Sequence, residues 1–112
     1  MVSRLLFQEM EFGRDKFWSL GNYQFVFTAE GDFQIRNKVN GDIVWASGTR
    51  GERFAIQGDG NLTIYDGLGK SLWASDTSGN RDAVLALQID GNMVVYTADL
   101  KRELWQTKTS GK

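Results

Sequence analysis

The segment FAIQGDGNLTIY at 54–65 returns as LALQIDGNMVVY at 85–96 and, more loosely, as FVFTAEGDFQIR at 25–36. Each copy is followed by a short loop and a tryptophan: IVWASGT at 43–49, SLWASDT at 71–77 and ELWQTKT at 103–109. Gly31, Gly60 and Gly91 fall in register, as do Trp45, Trp73 and Trp105, at spacings of 28 to 32 residues. One unit of about 30 residues used three times, with no helical period, leaves few folds open.

Each copy reads as a β-hairpin. In the middle one a three-residue loop, 58–60, with Gly60 left-handed, sets Gln57 opposite Asn61, Ile56 opposite Leu62, Ala55 opposite Thr63 and Phe54 opposite Ile64. Opposed residues share a face, so this register puts every bulky apolar group on one side, and a one-residue slip would mix them. The same register pairs Leu87 with Met93 and Leu85 with Val95, and Phe27 with Phe33 and Phe25 with Ile35. Strands are expected near 23–28, 33–37, 43–46, 53–57, 61–65, 71–74, 83–88, 92–96 and 102–106, with short ones near 5–8 and 16–19. A lone hairpin is unstable in water; three can close around an axis and cover one another's apolar faces. The expected fold is all-β with pseudo-threefold symmetry, one domain over 1–112 with repeats at about 23–49, 53–77 and 83–109. The matched tryptophans should meet in the core near the axis.

Composition removes several functions. The chain of 112 residues contains neither cysteine nor histidine, which excludes disulfides, thiol nucleophiles, histidine-based triads and Cys/His zinc sites. Thirteen basic against fourteen acidic residues, with no basic run, argues against nucleic acid as partner. No carboxylate cluster suits a metal, so no cofactor and no metal is expected. The start, MVSRLLFQEM, does not read as a leader, and no window approaches the ~18 apolar residues of a spanning helix. The expected location is cytoplasmic or release without a leader, a mature secreted form also being compatible, and no membrane insertion is expected.

The outward hairpin faces carry Gln57, Asp59, Asn61, Thr63 and Tyr65 in the second copy, and Gln88, Asp90, Asn92, Val94 and Tyr96 in the third. Asp-Gly-Asn alone is a common turn closure. Gln and Tyr at matched offsets are not explained by the turn. Amide, carboxylate and phenol together offer the donors and acceptors that hold the vicinal hydroxyls of a sugar ring, and Val94 would pack on its apolar edge. Glycoside hydrolysis needs two flanking carboxylates, whereas each copy has one Asp and no second acid at matched spacing, so no catalytic residue is assigned.

QGDGNLTIY and QIDGNMVVY resemble the signature of the bulb-type (monocot-type) mannose-binding lectins, Gln-x-Asp-x-Asn-x-Val-x-Tyr. The third copy matches all five positions and the second matches four. The resemblance spans nearly the whole chain and implies a β-prism II of three four-stranded antiparallel sheets, with mannose held by Gln88, Asp90, Asn92, Val94 and Tyr96 most strongly. The second site, Gln57, Asp59, Asn61, Thr63 and Tyr65, has Thr63 for the family's Val and should be weaker. In the first copy Thr28, Glu30, Asp32, Gln34 and Arg36 match nothing, so this site is degenerate. Plant members usually carry a disulfide; Gly31 and Arg53 stand near those places here, as in cysteine-free relatives outside plants. The family also implies a homodimer made by exchanging the C-terminal strand, with Leu104 and Trp105 crossing.

The partner implied is a mannose-containing glycan or glycoprotein. The alternative is a binding module of the same fold that recognises a protein or a non-mannose ligand. The N-terminal apolar residues Leu5, Leu6, Phe7, Met10, Phe12, Phe17 and Trp18 should be buried, as the missing strand of the third-copy sheet or its neighbour. Residues 50–53 and the cluster Asp99, Lys101, Arg102 and Glu103 read as solvated loops, and the chain should fray after Thr109.

Overall fold

The structure is a computed structural model and describes residues 3–112; Met1 and Val2, which open the segment MVSRLLFQEM, lie outside the described residues. The N-terminal stretch folds into three short strands, β1 (Arg4–Phe7), β2 (Met10–Phe12) and β3 (Lys16–Leu20). The first repeat gives β4 (Tyr23–Phe27), β5 (Phe33–Asn37) and β6 (Ile43–Ala46). The second gives β7 (Arg53–Ile56), β8 (Leu62–Tyr65) and β9 (Ser71–Ala74), and the third β10 (Val84–Gln88), β11 (Met93–Tyr96) and β12 (Glu103–Gln106). They form three four-stranded antiparallel sheets, ordered β3-β4-β5-β6, β2-β7-β8-β9 and β1-β10-β11-β12.

All three hairpin registers are those that the apolar alternation requires: Ile56 faces Leu62, Leu87 faces Met93 and Phe27 faces Phe33. The inward set of each hairpin is buried to 1% exposure or less: Phe25, Phe27, Phe33 and Ile35, then Phe54, Ile56, Leu62 and Ile64, then Leu85, Leu87, Met93 and Val95. Apolar burial of this kind stabilises by about 1.5–3 kcal/mol per side chain. It drives the three sheets onto one core.

The N-terminal segment departs from expectation. It does not complete a single sheet but supplies the fourth strand of all three. β2, which was not anticipated, is only three residues long and buries a single apolar side chain, Phe12. Burial is also narrower than expected. Phe12 is buried and Phe7 and Trp18 pack against the core, whereas Leu5, Leu6, Met10 and Phe17 stay exposed. Leu6 and Phe17 point out by the alternation of a strand, whereas Leu5 and Met10, paired with the inward Leu87 and Ile56, stay exposed at the sheet edge.

Each N-terminal strand delivers one aromatic ring. Phe7, Phe12 and Trp18 meet with centroids 4.7 to 5.4 Å apart. On the opposite edge strands Trp45, Trp73 and Trp105 meet edge to face at 5.2 to 5.9 Å, half-buried and packed on the core. The two triads close the two ends of the threefold core. T-shaped pairs of this kind add about 0.5–1.5 kcal/mol each beyond their area.

The C-terminus is tied down rather than frayed. Thr109 is buried, the Gly111 N–H donates to the Asp90 carbonyl at 2.7 Å, and Asn37 Nδ2 donates to the Lys112 carbonyl at 3.2 Å. Residues 50–53 are likewise only partly a solvated loop. Gly51 is buried with its N–H donating to the Gly31 carbonyl at 2.9 Å, and Arg53 begins β7.

Candidate functional site

The hairpin turns build all three faces alike. The N–H groups of Gly31, Gly60 and Gly91 donate back to the carbonyls of Thr28, Gln57 and Gln88 at 2.9 to 3.0 Å. Left-handed φ angles of 86°, 93° and 91° at these glycines make the turn possible. In the second and third copies an aspartate closes the turn, Asp59 Oδ1 and Asp90 Oδ1 accepting from the N–H of Asn61 and Asn92 at 2.9 and 3.0 Å. In the first copy the Thr28 hydroxyl accepts from the Asp32 N–H instead, at 3.1 Å.

The motif asparagine is partly a clamp. Asn92 Oδ1 accepts from the Thr107 hydroxyl and the Thr109 N–H at 3.1 and 3.2 Å. Asn61 Oδ1 accepts from the Ser75 hydroxyl and the Thr77 N–H at 3.4 and 3.2 Å. The amide nitrogen of each remains directed elsewhere. Asn92 Nδ2 donates to Gln106 Oε1 at 2.9 Å, with a second hydrogen left for a ligand. In the second copy Ala74 takes the register place of Gln106, and Asn61 Nδ2 donates to none of the described residues.

Gln88 Nε2 donates to the Tyr96 hydroxyl at 3.0 Å, and Gln57 Nε2 makes the same bond to Tyr65. Each bridge spans the row that holds Val94 or Thr63. It leaves the glutamine Oε1 as an acceptor and the tyrosine O–H as a donor. Val94 was expected to offer an exposed apolar floor; it is fully buried, and Thr63 nearly so. Thr63 Oγ1 is also the buried side-chain polar atom left without a partner among the described residues, a condition that costs about 1–3 kcal/mol.

The first face is occupied by its own side chains. Arg36 Nε donates to Gln34 Oε1 at 2.8 Å, and Gln34 Nε2 donates to Asp32 Oδ2 at 2.9 Å. Asp32 Oδ1 accepts from the Ser47 hydroxyl and the Gly48 N–H, both at 2.8 Å. Burial pushes the Asp32 carboxyl up, but bonds from Gln34, Ser47, Thr49 and Gly48 together outweigh it and hold the group below its ordinary value. Where the motif asparagine would donate to a hydroxyl, Asp32 offers only acceptors, each already holding at least one bond from its own chain.

Several site neighbours escaped the sequence reading. Ser110 donates to Asp90 Oδ2 at 2.8 Å, Gln106 braces Asn92, and Arg4 lies over the Tyr96 ring at 5.3 Å. The Ser/Thr-x-Thr that follows Trp-Ala or Trp-Gln in every repeat (Ser47 and Thr49, Ser75 and Thr77, Thr107 and Thr109) was the visible signal for the clamp. Arg4 left none, since it lies outside the repeat.

Three sheets on one threefold core, with polar hairpin faces, define a β-prism II of the lectin class. No protein-family model matches the chain. It is 29% identical over 111 residues to a mannose-specific lectin of Aloe arborescens, covering 94% of this chain and 96% of that protein. Among solved structures, a monomeric monocot mannose-binding lectin from Gastrodia elata superposes with a TM-score of 0.80 at 30% identity, covering 96% of this chain and 97% of that one. The Japanese Marasmius oreades lectin superposes at 0.83 and 27% identity, covering 97% and 92%. The chain belongs to the bulb-type (monocot-type) mannose-binding lectins, as a member without cysteine.

Proposed function

We propose that the protein is a non-catalytic lectin that binds mannose and mannose-rich glycans through its third- and second-repeat faces. The observation that carries this reading is the complete set Gln88, Asp90, Asn92, Val94 and Tyr96 on one face, with its free atoms a mixture of donors and acceptors. The names of its relatives agree. Gln88 Oε1, the Asp90 carboxylate, the second Asn92 Nδ2 hydrogen and the Tyr96 O–H meet the ring hydroxyls, and sugar contact with Val94 requires the Gln88–Tyr96 bridge to yield. Each such bond is worth a net ~0.5–1.5 kcal/mol. Against the cost of fixing the sugar, this supports only a millimolar-range constant, about 4 kcal/mol. Useful strength then comes from two sites engaging a branched glycan together.

Calorimetry with α-methyl mannoside tests the ranking of sites. Asp90→Asn should weaken binding more than Asp59→Asn does, and equal losses would contradict the order. Thr63→Val should strengthen the second face and also raise stability by about 1–2 kcal/mol, because it removes the orphaned hydroxyl. A variant that melts lower than the parent would contradict that account.

We propose further that two chains pair by exchanging residues 103–109, each β12 taking the same register on the partner's β11, with the 97–102 turn as hinge. Small size without cross-links supports the reading. Sedimentation at tens of micromolar should give twice the 12.6 kDa chain mass, and a 12.6 kDa species would rule the exchange out.

A further inference from the structure

We infer that the third-repeat face takes a hexose bearing an anionic ester, phosphate or sulfate, with Arg4 as the group that receives it; this rests on the sugar-binding reading above. Arg4 stands opposite Gln88 in the β1–β10 pairing, so its side chain leaves the sheet on the motif's face. Its guanidinium lies 5.3 Å from the centre of the Tyr96 ring. The side chain therefore starts opposite Gln88 and reaches over the Tyr96 ring, along the edge of the face that the Gln88–Tyr96 bridge occupies.

Arg4 makes no ion pair with a described carboxylate, the pairs among the described residues being Arg14–Glu52 and Arg53–Glu11. Stacking on the ring holds the planar fork, and its N–H donors match the oxygens of a phosphate or sulfate in pairs. Of the acids on this face, Asp90 is in the β10–β11 turn, bonded to Ser110, and Glu103 pairs with Tyr96 from β12 and accepts from Gln106 Nε2 at 3.0 Å; neither makes an ion pair with Arg4.

The other faces supply a comparison. Arg53 lies over Tyr65 at 4.7 Å, but Glu11 Oε2 sits 3.3 Å from its Nη1 and neutralises it. Arg36 takes the tyrosine's own place on the degenerate face. A guanidinium thus stands on all three faces from unrelated sequence positions, over the motif tyrosine on the second and third and bonded to Gln34 on the first. Only at the third face does it stand beside a complete motif without a carboxylate on it.

The test is an amide NMR titration of the whole chain with α-methyl mannoside and with mannose 6-phosphate at low salt, using glucose 6-phosphate and inorganic phosphate as controls. Amides 88–96 should report the phosphorylated sugar binding about three- to tenfold tighter than the mannoside, and amides 57–65 should report no difference. The gain should shrink with added salt, vanish in Arg4→Gln, and appear at 57–65 in Glu11→Gln. Equal affinity for both sugars would overturn the inference and leave the mannose reading standing. Equal shifts from inorganic phosphate alone would also overturn it, as an anion site indifferent to the sugar. No response to either sugar would overturn both.

Discussion

A chain lacking residues 103–112 is expected to be unfolded, not a clean monomer. The deletion removes β12, which pairs Val94 with Gln106 and Val95 with Trp105. It takes Trp105 out of the triad, where its ring lies 5.9 Å from Trp45 and 5.2 Å from Trp73. The clamps from Thr107 and Thr109 onto Asn92, and from Thr109 onto the Gly91 carbonyl, go with it. Truncating a fully buried tryptophan costs about 3–5 kcal/mol and the half-buried Trp105 a part of that, while each hydrogen bond lost adds about 1. A small domain has only ~5–15 kcal/mol in total. Circular dichroism and amide dispersion read the outcome. A cooperative thermal transition in the truncated chain would show that the third sheet does not depend on its last strand.

The second large effect is expected at Gly31. A β-carbon there would sit 1.9 Å from the Gly51 carbonyl oxygen and 2.5 Å from the Gly51 nitrogen, at a φ of 86°. The Gly51 N–H donates to the Gly31 carbonyl, so two backbones are held in contact and no side chain can move aside. Gly31→Ala combines overpacking, about 1–3 kcal/mol, with left-handed strain of about 1–2. Gly41 has a similar φ of 79° with nothing within 4 Å, so Gly41→Ala isolates the strain. Chemical denaturation should find Gly31→Ala destabilised by about 2–5 kcal/mol and Gly41→Ala by no more than about 2. Equal losses at the two positions would contradict the close-approach argument.

The contrast between hairpins and edges shows how much of this molecule could be read in advance. Three copies of one alternation fix the register, because any slip would expose Phe27, Ile56 or Leu87; all three are buried as the pattern demands. The matched tryptophans announced themselves in the same way. The N-terminal strands did not, because a three-residue strand carries no period and Met10-Glu11-Phe12 buries one residue. The register shift before Arg36, Tyr65 and Tyr96 recurs in every sheet, yet it depends on pairing geometry that no residue type marks.

At the faces, residue identity was legible and occupancy was not. The motif positions stand out by spacing, but the Gln88–Tyr96 bridge and the bracing of Asn92 by Gln106 are contacts between strands. The same holds for the first face. Thr28, Asp32, Gln34 and Arg36 look like four mismatches in a line of letters. In three dimensions they are a closed ladder of hydrogen bonds.

Titration of the uniformly labelled protein with α-methyl mannoside, followed amide by amide, tests the central claim most directly. Saturable shifts should cluster at 88–96 with a midpoint in the millimolar range, appear more weakly at 57–65, and be absent at 28–36. Saturable shifts around 28–36 in their place, or no shifts with mannose at all, would contradict the assignment of the motif faces as the sugar-binding sites.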